Sequence, residues 1–549
     1  MSAQDQLDRT LAMLAATPGW HRLQELRQDL DDELATAVLD GARRLSDEVL
    51  APLDDAVDRE GCRVENGRVK VPAGYHAAWR AFAEGGWIGL DTDSRFGGAG
   101  LPLVVQAAAT QLFDRACPAF NMGAGATRSA AVLLAERASP ELAQDWVPAL
   151  VAGERAATIC ISEPGAGSDV GRIRTRAVRD GDRWKISGQK IWISFGDHDL
   201  TPRICHCLLA RSSDAPGTRG LSLFLVPNAA EDGRANGVSV QRIEKKMGLH
   251  GSPTCVLEFE DAEGELIGDE GRGLSQLFTM IELMRLQVGC QGLGIASRAC
   301  AVAESYASER LQGGDPSETP VPIATHPDVR RQLAAMRGRT ELLRAAVLEL
   351  AVTLDLARAG EEDAAARAAW ILPLVKTFGA ETGFGVADAG IQVLGGAGYT
   401  KEWPLERALR DARVMAIYEG TTGMQGIDFL ERRLVRDRAG FNAFLTAARA
   451  AQPQGDPRSR TAEEVIDRLE RLAERLRACP DAQARLGAAD AWLRAGWIGV
   501  AAWLWPRLGD DAAPVLLALP ERLAVLEAEI AGGLETAETE ADERLATSA

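Results

Sequence analysis

No stretch of this chain is apolar for the ~18 successive residues that a bilayer-spanning helix needs. The best candidates, Ala495–Pro506 and Leu286–Ser297, reach 12 residues each, so no membrane span is expected. The opening residues, Met1-Ser2-Ala3-Gln4-Asp5, hold no basic segment ahead of an apolar run, and no secretory signal is expected. Positive charge is in short supply, with 61 Lys+Arg against 79 Asp+Glu and a net charge of −18. That balance excludes a broad nucleic-acid surface, which needs clustered Lys and Arg, while leaving room for a local basic pocket. CxxC pairs are absent from the nine cysteines. An odd count without pairs fits reduced thiols and a cytoplasmic setting. The one close cluster, Cys205-His206-Cys207, lies in alternating apolar sequence that puts both cysteines on one strand face. No further ligands stand at zinc spacing, and no metal is expected.

What remains is a chain of 549 residues, 46% hydrophobic and 26% charged, globular in composition and long enough for three or four domains or one composite unit. Residues 1–155 read as helices, with Leu23, Leu26, Leu30 and Leu34 at helical spacing. Between 156 and 270 the character turns to short β-rich runs: Ala157–Ser162, Trp184–Ser187, Lys190–Ser194, Ile204–Ala210, Leu221–Val226 and Thr254–Phe259. Asp180-Gly181-Asp182 is a hairpin signal between two strands. Helical periodicity returns over 271–440 and predicts a bundle. Gln452–Arg460 reads as a linker, and Thr461 with Glu464 forms a capping-box pattern before Val465, Leu469, Leu472 and Leu476 on one helix face. The expected organisation is α+β: an N-terminal helical domain (1–155), a middle β-domain (156–270), a helical bundle (271–440) and an extra C-terminal helical domain (461–549). It is not the alternating βα pattern of a Rossmann unit.

Four segments carry chemistry. Cys160-Ile161-Ser162-Glu163-Pro164-Gly165-Ala166-Gly167-Ser168-Asp169 leaves a strand for a Gly-rich turn, where backbone N–H groups can approach an anion or simply make a turn. In Lys190-Ile191-Trp192-Ile193-Ser194, alternation predicts Lys190, Trp192 and Ser194 on one face, suited to a planar polar ring or to packing under the sheet. Gln392-Val393-Leu394-Gly395-Gly396-Ala397-Gly398-Tyr399, followed by Glu402, Arg407 and Asp411, is a Gly-rich joint between helices. In Ile417-Tyr418-Glu419-Gly420-Thr421-Thr422-Gly423 a carboxylate beside a glycine is either a helix-end acid or a partly buried base.

In this order and spacing the segments resemble the acyl-CoA dehydrogenase family of flavoproteins. Phe96-Gly97-Gly98-Ala99-Gly100-Leu101 is also similar to a family loop, and the resemblance spans about 40–435. Lys246–Cys255 and Gly196–Thr201 are similar to long bacterial members, including 3-methylmercaptopropionyl-CoA dehydrogenases, and make a short or thioether-containing acyl group the expected substrate.

The resemblance implies FAD held between the β-domain and the bundle and completed by a neighbouring subunit, hence a homodimer or homotetramer. It implies that Cys160, Ser162, Gly167, Ser168, Trp192, Ser194, Arg310, Gln392, Gly395, Gly396 and Thr421 line the cofactor. Ser162 and Ser194 would bond the flavin ring beside Trp192, and Arg310 would meet the partner's FAD. Ser168, Glu282, Arg285 and Gly420 would contact the acyl-CoA. Glu419 would take the α-proton while the β-hydride passes to flavin, giving a trans-2-enoyl-CoA, with an electron-transfer flavoprotein as acceptor. The family's alternative base position falls on Met284, which cannot abstract a proton.

Arg172 stands where the first signature has a small residue, Gly423 replaces a longer polar residue, and 311–326 reads as an insertion. Two other readings share these motifs: an acyl-CoA oxidase, and a flavin-binding non-dehydrogenase relative with a protective, scaffold or nucleic-acid-associated role. Against the latter, residues 461–549 hold 9 Arg, no Lys and 17 Asp+Glu, where a DNA-docking domain needs a basic face.

Overall fold

The computed structural model describes residues 2–453, 456–509 and 512–548. By compactness the chain divides into two units, Asp40–Gln287 and a second formed by residues 1–39 with 288–549.

The Asp40–Gln287 unit joins a helical layer to a sheet. Its helices Leu103–Ala116 and Pro118–Arg137 are buried over almost every residue, polar Gln111, Asp114, Asn121 and Arg128 included. A two-stranded hairpin, β1 (Arg63–Glu65) and β2 (Arg68–Lys70), interrupts the region read as purely helical. Its turn is Asn66-Gly67, both with positive φ, the pairing that a two-residue hairpin favours.

Seven strands follow: β3 (Arg155–Cys160), β4 (Arg176–Asp180), β5 (Arg183–Ser194), β6 (Arg203–Arg211), β7 (Leu221–Pro227), β8 (Val238–Ile243) and β9 (Thr254–Ile267). The pairings run β6–β4–β5–β9–β7 and return to β6, so five strands form a closed ring, with β3 parallel on β6 and β8 on β9. The Gly181-Asp182 turn joins β4 to β5 as expected. Two corrections arise. Trp184–Ser187 and Lys190–Ser194 are one continuous strand, and β8, which alternates half-buried with exposed residues and buries none, was not foreseen. Cys205 and Cys207 share one apolar cluster, as read. His206 faces the other way, bonded to Thr158 Oγ1 at 2.8 Å, and burial drops its pKa to about 3. All nine cysteines are free. Among the described residues no group of His, Cys, Asp or Glu could hold a metal, and no helix is long and apolar enough to cross a membrane.

The other unit is helical. The long helices Gly273–Glu309 (from residue 288 on) and Ala364–Leu394 cross closely, because a Cβ at Gly292 would stand 2.0 Å from the Gly379 carbonyl oxygen. Pro327–Arg358 completes the core of three. C-terminal to these lie Pro457–Ala478, Ala482–Gly487, Ala489–Leu504, Ala513–Leu516 and Leu519–Ser548. Asp456, not Thr461, caps the first of them, its carboxylate accepting from Arg458 N at 2.8 Å. Pro457 at the first helical position favours that earlier start. The linker is therefore shorter than the expected Gln452–Arg460, and its residues 454–455 lie outside the described residues, as does Ala549. Val465, Leu469, Leu472 and Leu476 are buried together as expected.

These added helices dock through aromatic rings. Trp370 lies 4.0 Å from Phe429 and 5.9 Å from Trp492, and Phe378 stacks on Trp497 at 4.8 Å. Arg494 pairs with Glu381 at 3.0 Å. Truncating a buried indole at such a centre costs about 3–5 kcal/mol. Trp492→Ala is therefore expected to move the unfolding midpoint of this unit in urea sharply downward. An unchanged midpoint would show that the ring cluster does not anchor the added helices.

Candidate active site

On the sheet unit, the chain leaves β3 at Cys160 and closes a tight turn in which Glu163 and Ala166 exchange N–H···O bonds of 3.1 and 3.0 Å. Glu163 turns its side chain inward to Lys190 of β5, Oε1 to Nζ 2.8 Å. Lys190 Nζ also donates to the Ile161 carbonyl at 3.0 Å, and the amides of Arg174 and Thr175 donate to Glu163 at 2.7 and 3.1 Å. Burial pushes the Glu163 carboxyl up. The Lys190 charge and hydrogen bond, with those from Thr175 and Arg174, outweigh it and hold the group below its ordinary value. Burial pulls the Lys190 ammonium down against the opposing pull of Glu163. A last tie runs from Ile191 N to the Ser162 carbonyl at 2.9 Å. Ser162 and the Trp192 strand are thus brought together.

The predicted common face of Lys190, Trp192 and Ser194 does not form. Between Lys190 and Ile193 the strand holds one residue more than β9 does between Leu257 and Cys255. The extra residue makes a β-bulge and moves Ser194 to the side opposite Lys190. Trp192 occupies the bulge at φ +64° with its indole 59% exposed. A tryptophan in that backbone region is strained.

Nothing stands within 4 Å of a Cβ built on Gly165 or Gly167, and Ser168 is exposed beside them. Cys160 turns its thiol into the apolar core, its pKa pushed by burial to about 12, and offers a ligand only its backbone. Ser194 is half-buried. The loop after it is pinned by residues that sequence reasoning passed over: Arg68 Nε and Val69 N both donate to Asp197 at 2.7–2.9 Å. Glu282, exposed, and Arg285, half-buried, stand one turn apart on the Gly273–Glu309 helix.

On the helical unit, Tyr418-Glu419-Gly420-Thr421 forms a turn with φ +54° at Glu419 and +91° at Gly420. Thr421 caps the Thr422–Ile427 helix, accepting from Met424 N at 3.3 Å. Glu419 is half-buried. Three side chains hold the turn: Tyr418 OH donates to Gln291 Oε1, Gln425 Nε2 to the Glu419 carbonyl at 2.9 Å, and Lys376 Nζ to the Gly420 carbonyl at 2.6 Å. None of the three partners figured in the sequence reading. The available signal was a single lysine inside the apolar run Trp370–Phe378. Gln392 is exposed on the last turn of its helix, followed by exposed Gly395, at φ +61°, and Gly396, neither crowding a built Cβ. Arg310 is exposed just past the end of Gly273–Glu309, where its carbonyl accepts from Ile323 N at 2.8 Å and closes the 311–322 loop.

The sheet unit offers an exposed indole on a bulge, a hydroxyl on the neighbouring turn and open glycine backbone at Gly165 and Gly167, a surface that suits a flat ring and an anionic group.

Family models match the chain over 32–154 (acyl-CoA dehydrogenase, N-terminal domain), 158–262 (middle domain) and 271–434 (C-terminal domain). The 3-methylmercaptopropionyl-CoA dehydrogenase of Ruegeria pomeroyi is 40% identical over 455 residues, 80% of this chain and 77% of that protein. The broad-specificity linear acyl-CoA dehydrogenase FadE5 of Mycobacterium tuberculosis is 37% identical over 397 residues, 67% of this chain and 64% of that protein. The structure of Caenorhabditis elegans ACDH-11 in complex with C11-CoA superposes with a TM-score of 0.76 at 23% identity, covering 90% of this chain and 89% of that one, and shows the common fold. The chain belongs to the acyl-CoA dehydrogenase family. It is a flavin-dependent oxidoreductase acting on CH–CH donors.

Glu163→Gln leaves Lys190 buried against a neutral partner, at a cost of about 3–5 kcal/mol at pH 7. A carboxyl whose folded pKa lies below its free value stabilises the fold above that free value, here 4.5, and loses the contribution as pH falls through the folded one. The stability gap between wild type and Glu163→Gln is therefore expected to be full at pH 7 and to close below pH 4.5, as read by urea unfolding across that range.

Proposed function

We propose that this chain catalyses FAD-dependent α,β-dehydrogenation of a short or thioether-containing acyl-CoA to the trans-2-enoyl-CoA, with Glu419 as the base. The observation that carries the reading is the Glu419 turn: a half-buried carboxylate fixed on a left-handed backbone by three side chains. Removing a proton α to a thioester requires a placed base and stabilisation of the developing enolate oxygen. The Glu419 carboxylate accepts the α-proton, and its own backbone N–H donates to the thioester oxygen. An apolar acyl group lying over the carboxylate raises its pKa towards the working pH. The hydride acceptor is the one piece of chemistry the polypeptide lacks, and bound FAD supplies it.

Ser162 and Ser194 hold the polar edge of the flavin ring, Trp192 packs beside it, and Gly167, Ser168 and Thr421 line its remaining contacts. Ser168, Glu282, Arg285 and Gly420 hold the acyl-CoA. Arg310, Gln392, Gly395 and Gly396 lie exposed and serve the FAD of a second subunit, which makes the enzyme a homodimer or homotetramer. The segments 1–155, 156–270, 271–440 and 461–549 are its domains. An electron-transfer flavoprotein takes the electrons, and the setting is the cytoplasm and fatty acid metabolism.

The test is an anaerobic titration of the holoenzyme with acyl-CoAs of graded length, one of them a thioether, followed by flavin absorbance. One chain class is expected to bleach the flavin, and Glu419→Gln to retain the flavin spectrum without bleaching. Retained bleaching places the base elsewhere. Rapid recovery of absorbance on admitting air would make the enzyme an oxidase, and a yellow protein that no acyl-CoA bleaches would favour the flavin-binding, non-dehydrogenase reading. Arg310→Ala is expected to weaken FAD retention or subunit assembly, measured by gel filtration and the ratio of flavin to protein absorbance. An unchanged holo-oligomer refutes that role.

A further inference from the structure

Among the three side chains that hold the Glu419 turn, Lys376 has the costliest placement. It is fully buried in the Ala364–Leu394 helix, among Leu374, Val375 and Phe378, which are buried as well. Taking an ammonium out of water is expensive, and an apolar side chain of the same length would fill the volume without that cost. The ammonium reaches Gly420, 44 residues on, and donates to its carbonyl oxygen at 2.6 Å. A charged donor on a carbonyl is about twice as strong as a neutral one.

The bond falls where the backbone most needs restraint. Glu419 and Gly420 are both left-handed, a combination that persists only when the surroundings fix it. Gln425 ties the carbonyl of Glu419 and Lys376 ties the carbonyl of Gly420. With two successive carbonyls held, ψ at both residues is set, and the Glu419 side chain leaves the turn in one direction. Tyr418, bonded to Gln291, fixes the approach from the N-terminal side.

We propose that Lys376 is a positioning residue for α-proton abstraction: by anchoring the Gly420 carbonyl it aims the Glu419 carboxylate at the acyl thioester. This rests on Glu419 being the base. A misplacement of about 1 Å in such a group costs on the order of 10²-fold in rate, so the effect belongs in the chemical step and not in binding.

The experiment compares four holoenzymes: wild type, Glu419→Gln, Lys376→Met and the charge-retaining Lys376→Arg. Three quantities are read: the anaerobic flavin-reduction rate at saturating acyl-CoA, the calorimetric Kd for the enoyl-CoA product, and hydrogen exchange of amides 419–424. Lys376→Met is expected to reduce its flavin about 100-fold more slowly, to keep product Kd within about threefold, and to exchange faster only over 419–424. Lys376→Arg is expected to recover about tenfold of the lost rate. A wild-type rate in Lys376→Met overturns the proposal. So does a loss of rate matched by loss of product binding that Arg does not restore, because that marks a purely structural residue. Glu419→Gln that still reduces flavin sinks the reading beneath the proposal. If Lys376→Met does not fold, Gln425→Met cuts the other tie on the same turn, and an undiminished rate there overturns the proposal equally.

Discussion

One buried ion pair, Lys190 with Glu163, sets the turn that carries Ser162 beside the Trp192 strand. β3, which delivers Ser162, is bonded along its length to β6 and not to β5. The turn after Cys160 therefore has no ladder to set it beside the Trp192 bulge. Lys190 supplies the register by holding the Glu163 carboxylate and the Ile161 carbonyl at once, beside the Ile191–Ser162 bond. Such pairs add little net stability over an apolar pair of equal volume. What this one adds is a choice: a turn rich in glycine has many conformations, and the pair selects the one that presents Ser162 and leaves Gly165 and Gly167 open.

The same logic explains where the backbone is strained. Asn66, Asp261 and Asp363 are left-handed too, but Asn and Asp adopt that region easily. Trp192, Phe195, Leu249 and Glu419 do not; Trp192 and Glu419 sit on segments that carry chemistry, Phe195 directly follows one, and Leu249 lies outside them. Each has a specific partner: the bulge against β9 for Trp192, the Pro253 carbonyl for Phe195 N at 2.7 Å, Ser252 N on the Leu249 carbonyl at 2.9 Å, and the Gln425 and Lys376 ties for Glu419. At Trp192 and Glu419 the strain falls where side-chain direction matters more than local comfort.

What the sequence disclosed follows from the range of the forces involved. Alternation and turn residues are local, so most ring strands, the Gly181-Asp182 hairpin and the Gly395–Tyr399 joint were legible. The β1–β2 hairpin announced itself only by Asn66-Gly67 within helical surroundings, and its purpose lies 128 residues away, where Val69 N meets Asp197. The bulge at Trp192 was not legible, since an extra residue in one strand is defined only against its partner's register. At the head of Pro457–Ala478 two caps competed, and the Asp456-Pro457 pair won over Thr461. Lys376 was visible as an odd cation in an apolar run, but its meaning resides in a carbonyl no sequence pattern marks.

The added C-terminal helices belong to the same argument. Ala489–Leu504 packs on the helix that carries Lys376, where Phe378 stacks on Trp497 and Arg494 meets Glu381. It also backs the helix that follows the Glu419 turn, since a Cβ at Gly426 would stand 3.0 Å from the Ala489 carbonyl oxygen. A cation kept out of water and a strained turn both need a wall that does not yield. The added helices form part of that wall, through the rings of Trp492 and Phe429 behind it. Through Ala489 and Trp492 their apolar face lies against the segment that follows the Glu419 turn.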